Sequence, residues 1–210
     1  MPTMTDTICQ DSDEELLLRM ANGDEESFVT LYRRRQAAVY RFALQMSGSP
    51  SVAEDVTQEV FMALIKDCSG YSAEKGKLAG YLYGIARNHV LRRLERERFT
   101  VPIETGTDDD MDVISPADST CDPLSVLTRN ETVENVRSAV LALPAHYREV
   151  VLLCELHEMS YVETAAALNC AVGTVRSRLH RARAMLVEKL GAQTDPKPSS
   201  SSANSERCFA

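Results

Sequence analysis

Residues 160–183 read SYVETAAALNCAVGTVRSRLHRAR. Ser160 followed three positions later by Glu163 is a capping-box pattern, and it opens a short helix ending near Leu168. Asn169 then stands where the chain must turn, and Asn accepts left-handed backbone better than most residues other than Gly. A second helix starts near Val172. Helix, short turn and helix in this order form the helix-turn-helix signature, and the small Ala165 suits a close crossing of the two. At about 100° per residue, Val172, Val175, Leu179, Leu186 and Leu190 fall in one apolar stripe. Thr174, Ser177 and Arg181 project from the opposite side, Arg178 and His180 flank them, and Arg176 and Arg183 lie nearer the core edges. Arg reads guanine edges bidentately, and Ser and Thr contact bases or phosphates. Thr174, Arg176, Ser177, Arg178, His180 and Arg181 are therefore candidate DNA contacts. A solvated basic face would also carry arginines, but it would not need the cap, the Asn turn and the stripe in register.

The gathering of arginines stands out because the chain as a whole is acidic, with a formal net charge of -8 over 210 residues. Most of that charge lies in residues 100–130, where seven acidic side chains face only Arg129. Pro102, Gly106, Pro116 and Pro123 interrupt the same segment, which lacks helical periodicity and is read as a flexible acidic linker. Such a single-signed tether can also imitate nucleic acid in a partner's basic channel. Residues 131–190 balance to zero, and the serine-rich end, residues 191–210, has the composition of a disordered tail. Low aromatic content (6%), the absence of Trp and an abundance of Leu, Ala, Glu and Arg favour helices. The expected fold is all-α, with two small helical domains, 11–99 and 131–190, on either side of the linker.

Six scattered cysteines form no CxxC pair, which suits free thiols in a reducing compartment. Cys154 and His157 lie one helical turn apart with no third ligand evident, so no metal and no cofactor are expected. The longest apolar runs, such as Val150–Cys154, are too short to span a bilayer. The start of the chain lacks a charged segment followed by an apolar one. A cytoplasmic protein without membrane insertion is the expectation.

In the first domain, Ser12 with Glu15 forms a capping box ahead of LLLRMAN, and Gly23 offers a stop. Phe28, Leu31, Tyr32, Val39, Phe42 and Met46 recur at three- and four-residue steps along a second helix, which Gly48 and Pro50 end. Ser51 with Glu54 forms another capping pattern at the start of VAEDVTQEVFMALIKD. In that helix Val56, Val60, Phe61 and Leu64 face inward, and Glu54, Asp55, Gln58 and Glu59 lie mostly opposite. A fourth helix, LAGYLYGIARNHVLRRLERER, carries Leu78, Leu82, Ile85, Val90 and Leu94 inward. Tyr71, Tyr81, Tyr83 and Asn88 gather near its start beside Arg87, Arg92 and Arg93. Aromatic rings interleaved with arginines can stack unpaired bases while neutralising phosphates, although Tyr at helical spacing also serves as core.

Together, AEDVTQEVFMALIKD, GYLYGIARNHVLRR, LPAHYREVVLLCELHEMSYVETAAALNC and VGTVRSRLHRARAML resemble the extracytoplasmic-function class of bacterial RNA polymerase sigma factors. The resemblance covers residues 11–99 and 131–190, in order. It implies a region 2 helical bundle that binds the polymerase clamp helices through Glu54, Asp55, Gln58 and Glu59. That region would open the -10 element, with Asn88 lining the pocket for a flipped base and Tyr81, Tyr83, Arg87 and Arg92 supporting the separated strand. It implies a region 4 helix-turn-helix reading the -35 element and meeting the polymerase flap, a linker threading toward the RNA exit channel, and control by an anti-sigma factor. The family commonly has Trp at the place of Tyr81, Gly at that of Asn169 and Ser at that of Ala171. Two other readings stand beside this one. A stand-alone helix-turn-helix regulator would leave the first domain unexplained. A catalyst using Cys154, His157 or Cys170 would lack a base, an orienting carboxylate and a glycine-rich loop.

Overall fold

The computed structural model describes residues 11–73, 76–99 and 123–194, and every regular element among them is helical. The first half contains α1 (Asp13–Ala21), α2 (Glu25–Ser47), α3 (Pro50–Lys66), a short 3-10 turn (Cys68–Gly70) and α4 (Leu78–Phe99). The second contains α5 (Pro123–Leu141), α6 (Ala145–Val151, continued as a π turn over Leu152–Leu156), α7 (Tyr161–Leu168) and α8 (Val172–Thr194).

Local chemistry sets most of the ends. The Ser12 hydroxyl accepts from the Glu15 amide at 3.2 Å while the Glu15 carboxylate accepts from the Ser12 amide at 2.8 Å, closing the expected capping box. Gly23, at φ 92°, turns the chain after α1, and Asp24 caps α2 through the amides of Glu26 and Ser27. Gly48, at φ 77°, terminates α2 in a left-handed turn that an L side chain adopts only with strain. The next helix departs from the sequence reading: Ser49, not Ser51, is the N-cap of α3, accepting from the Val52 amide. Pro50 takes the first helical position, where its missing N–H costs nothing, so it opens α3 as well as ending α2.

The apolar stripes converge as their spacing requires. Leu16, Leu31, Val39, Phe42, Met46, Val56, Val60, Leu64, Leu78, Leu82 and Val90 are all buried in one core. Each such side chain contributes on the order of 1.5–3 kcal/mol by leaving water. At the α1–α2 crossing the buried Asp13 carboxylate pairs with both Arg34 and Arg35. The same core continues into the second half through Leu143, Val150, Leu152, Leu153, Leu168, Val175, Leu179 and Ala182.

Two boundaries lie further out than composition suggests. α5 begins at Pro123, inside the segment read as linker, and α8 runs to Thr194, inside the segment read as tail. Pro123 fits a first-turn position, and the charge count that defined the linker has no power to resolve helix within it. The rest of the acidic stretch, residues 100–122, and the end of the chain, residues 195–210, lie outside the described residues.

The two halves pack against each other. α7 lies on α4 closely enough that a Cβ on Gly84 would come within 3.2 Å of the Ala167 carbonyl oxygen. The Leu141 side chain of α5 rests against Gly48 at the end of α2. Arg148 donates from one guanidinium to the carbonyls of Leu141 and Leu143 in its own half and of Met46 in the other. Burial lowers the Arg148 pKa.

Candidate nucleic-acid and polymerase interfaces

The helix-turn-helix forms where the opening stretch places it. The Ser160 hydroxyl accepts from the Glu163 amide at 3.2 Å, and the Glu163 carboxylate accepts from the Ser160 amide at 2.9 Å. A second oxygen of that carboxylate meets Lys77 of the first half at 2.9 Å. The Lys77 ammonium and the bonds to Ser160 hold the Glu163 carboxyl down to a pKa of about 2. Asn169 adopts φ 50° and ψ 51°, the left-handed turn expected of it. Val175, Leu179 and Ala182 then seat α8 in the shared core.

Of the -35 candidates, Arg176, Ser177, His180 and Arg181 are exposed, and Thr174 and Arg178 are half-buried. The Arg176 guanidinium lies 5.9 Å from the centre of the Tyr161 ring, a cation–π contact that presents it without burying it. The exposed Ser177 hydroxyl donates to the Thr174 carbonyl at 3.0 Å and retains its capacity to accept. Arg183 leans back to Glu155 of α6. Arg178 behaves differently from its neighbours: Nη1 donates at 3.1 Å to Oε1 of Glu149, a carboxylate that is 1% exposed.

The same carboxylate takes Arg87 of α4, through Nε at 2.6 Å and Nη2 at 3.4 Å. This brings one candidate from each half onto one buried anion. Tyr83, another first-half candidate, is also covered: it is 6% exposed, packs on Phe42, and its hydroxyl lies 2.9 Å from Nδ1 of His157. Burial and the positive field of Arg41 hold His157 neutral, with a pKa of about 4. Tyr81 lies over the glycine turn, its ring 5.8 Å from that of Tyr71, where a Cβ on Gly70 would strike its hydroxyl. Asn88 and Arg92 remain exposed. Tyr81, Tyr83, Arg87 and Asn88 thus share one face of the first half, which lines a cavity of about 710 Å³ between the halves. Arg92 is not among the residues lining it.

The four α3 candidates divide into two pairs by helical spacing. Glu54 and Gln58 are exposed beside Tyr32, Gln36, Tyr40 and Arg41 in a shallow groove of about 430 Å³ between α2 and α3. Asp55 and Glu59 turn toward α4 instead, where Arg93 spans both at 2.8 and 3.1 Å and His89 meets Glu59 at 2.6 Å. Asp55, Glu59 and Arg93 thus form an ion-pair network on the α4 side of α3, outside the residues lining the groove.

Sequence reasoning missed Glu149, His157 and Lys77 as members of this arrangement. Glu149 did leave a trace, as a carboxylate directly before the apolar run VVLLC. Cys154, by contrast, approaches Thr164 at 3.4 Å, and burial raises its thiol pKa. Among the described residues no three His, Cys, Asp or Glu side chains converge as metal ligands, and no helix is long and apolar enough to cross a membrane.

Comparison with known proteins matches residues 31–100 to the sigma-70 region 2 family and residues 134–186 to the sigma-70 region 4 family. Similar proteins include the ECF RNA polymerase sigma factor SigE of Mycolicibacterium smegmatis, 32% identical over 173 residues, which are 81% of this chain and 65% of that protein. They also include the ECF RNA polymerase sigma factor SigM of Mycobacterium tuberculosis, 31% identical over 86% of this chain and 85% of that one. Among solved structures, the sigma factor RpoE in complex with the anti-sigma factor NepR from Bartonella quintana superposes with a TM-score of 0.60. It is 25% identical, over 81% of this chain and 99% of that one.

Proposed function

Because this chain belongs to the extracytoplasmic-function class of RNA polymerase sigma factors, we propose that it recruits core polymerase to promoters through two separable surfaces and a polymerase groove. The observation that supports this most directly is the exposure of Arg176, Ser177, His180 and Arg181 along one helix whose other side is locked in a core. That face enters the major groove of the -35 element, where each good bidentate arginine contributes about 1–3 kcal/mol of discrimination. The first half supports the separated -10 strand: Asn88 lines the pocket for a flipped base, Tyr81 and Tyr83 offer rings for stacking, and Arg87 and Arg92 neutralise phosphate.

The Glu54–Gln58 groove receives the polymerase clamp helices, with Asp55 and Glu59 as its support. The second half meets the flap. RNA synthesis itself belongs to the polymerase, and this chain supplies promoter choice within the cytoplasm. The neutral balance of residues 131–190 suits weak DNA binding by the free protein and tighter binding once both halves are tethered to polymerase. RpoE of Bartonella quintana is held by an anti-sigma factor, and an equivalent partner is proposed here.

In vitro transcription with purified core polymerase and fragmented genomic DNA from the source organism tests the proposal. New transcript starts preceded by two motifs at fixed spacing are expected only when the protein is present. Starts that do not depend on it, together with operator binding by the protein alone, would favour a stand-alone regulator.

A further inference from the structure

Glu149 raises a physical question. A carboxylate at 1% exposure is costly unless its oxygens are fully paired, and here both are taken by guanidinium groups. The two cations come from different halves and outnumber the anion, so the cluster keeps an excess positive charge. Their side chains are 23% and 30% exposed, which leaves them within reach of a competing anion from solvent. Each is also a candidate DNA contact under the function proposed above, on which this inference rests. The neighbouring contacts act in the same direction: Tyr83 is capped by His157, and Lys77 reaches across to Glu163 at 2.9 Å.

We propose that Glu149 is an internal latch: its carboxylate clasps Arg87 of α4 and Arg178 of α8 together, holding the chain closed with one DNA-contacting arginine of each half withdrawn. The carboxylate occupies the place that a DNA phosphate or base edge takes in the working complex. Opening separates Arg87 from Glu149 and uncovers Tyr83. Promoter DNA then competes with Glu149 for Arg178. Binding of core polymerase, which seats the two halves at different places, drives the separation. The free protein thereby limits its own DNA binding before any inhibitor arrives.

The test measures the distance between dyes attached through unnatural side chains at Met62 and Val187, one exposed position in each half. Wild type is expected to give a single distance, altered by core polymerase. Glu149→Gln keeps the shape of the side chain and removes the charge, so the distance distribution should shift and broaden with native circular dichroism. If about nine-tenths of wild-type molecules are closed, the apparent affinity for a duplex carrying the mapped -35 element should rise roughly tenfold in the variant. A folded Glu149→Gln with the wild-type distance overturns the latch whatever its affinity. An opened variant that binds the duplex no better overturns it too. Should Glu149→Gln lose helical content, Glu149→Asp decides: it keeps the charge but falls one carbon short of spanning both arginines, and an unchanged distance is again fatal. Loss of promoter-specific transcription by wild type would refute the functional reading, while the distance measurement would still judge the latch.

Discussion

Glu163 offers a quantitative test of how the helix-turn-helix is anchored. Its carboxylate closes the α7 capping box and, through Lys77, touches the first half of the chain. A fall from 4.5 to about 2 in pKa would by itself correspond to roughly 3 kcal/mol of stabilisation of the charged form. That figure overstates the effect, because Lys77 is 78% exposed and water screens the pair. A cap contributes on the order of 1 kcal/mol and an exposed ion pair about 0.2–1 kcal/mol, so about 1–2 kcal/mol is the expected total.

Two substitutions divide that total. Glu163→Gln retains an acceptor for the Ser160 amide, since Gln also serves at this position, but loses the charge. It should cost about 0.5–1 kcal/mol at neutral pH. Glu163→Ala loses cap and charge together and should cost about 1–2 kcal/mol. The sign with pH is fixed: a carboxyl whose folded pKa is depressed stabilises the fold above its unfolded value and loses that contribution as pH falls toward the folded one. Urea unfolding followed by circular dichroism should therefore show the gap between wild type and Glu163→Gln at full size above pH 5. The gap should shrink steadily as the pH falls from 4.5 toward 2. A gap that stays constant across that window would refute the charge argument. Equal losses in the two variants would refute the contribution of the cap.

Three further outcomes are expected. Leu179→Ala empties a fully packed site beneath the recognition helix, should cost about 2–5 kcal/mol and should abolish -35 binding, as read by unfolding and duplex titration. Arg181→Ala, on the exposed face, should leave the unfolding midpoint unchanged and weaken binding to the mapped -35 duplex by about 1–3 kcal/mol, measured by fluorescence anisotropy. His157 is held neutral to a pKa of about 4, below its ordinary value of 6.5, so the unfolded chain binds the proton more readily between those limits. Stability should fall as pH drops from 6.5 to 4, and comparison with His157→Gln in pH-dependent unfolding should show that part of the fall removed.

The elements and their inward faces were readable because each depends on neighbours within a few residues. Ser12–Glu15 and Ser160–Glu163 announce helix starts by spacing alone, Asn169 announces its turn, and the stripes on α2, α3 and α8 announce what is buried. Ser51 misled for the same reason: its spacing to Glu54 copies a capping box, but Pro50 has already started the helix from Ser49. The helical reach of residues 123–130 was hidden by acid and proline content, which report solvation more than backbone geometry.

Partnerships between the halves obey no local rule. Arg87 and Glu149 are 62 positions apart, and Tyr83 and His157 are 74 apart, so spacing carries no record of either pair. What the sequence does hold is a hint at each end: a carboxylate beside an apolar run, and an arginine directly after the buried Ala86. Such residues are costly alone and tolerable together, which makes each the best clue to the other's existence. The same reasoning bears on the arginines of the opening stretch. Arg176 is presented by an aromatic ring, Arg178 is held by Glu149, Arg183 is tied to Glu155, and among the described residues no ion pair engages Arg181. A face that looks uniformly basic in sequence is graded in structure, from the exposed Arg181 to the half-buried Arg178 paired with Glu149.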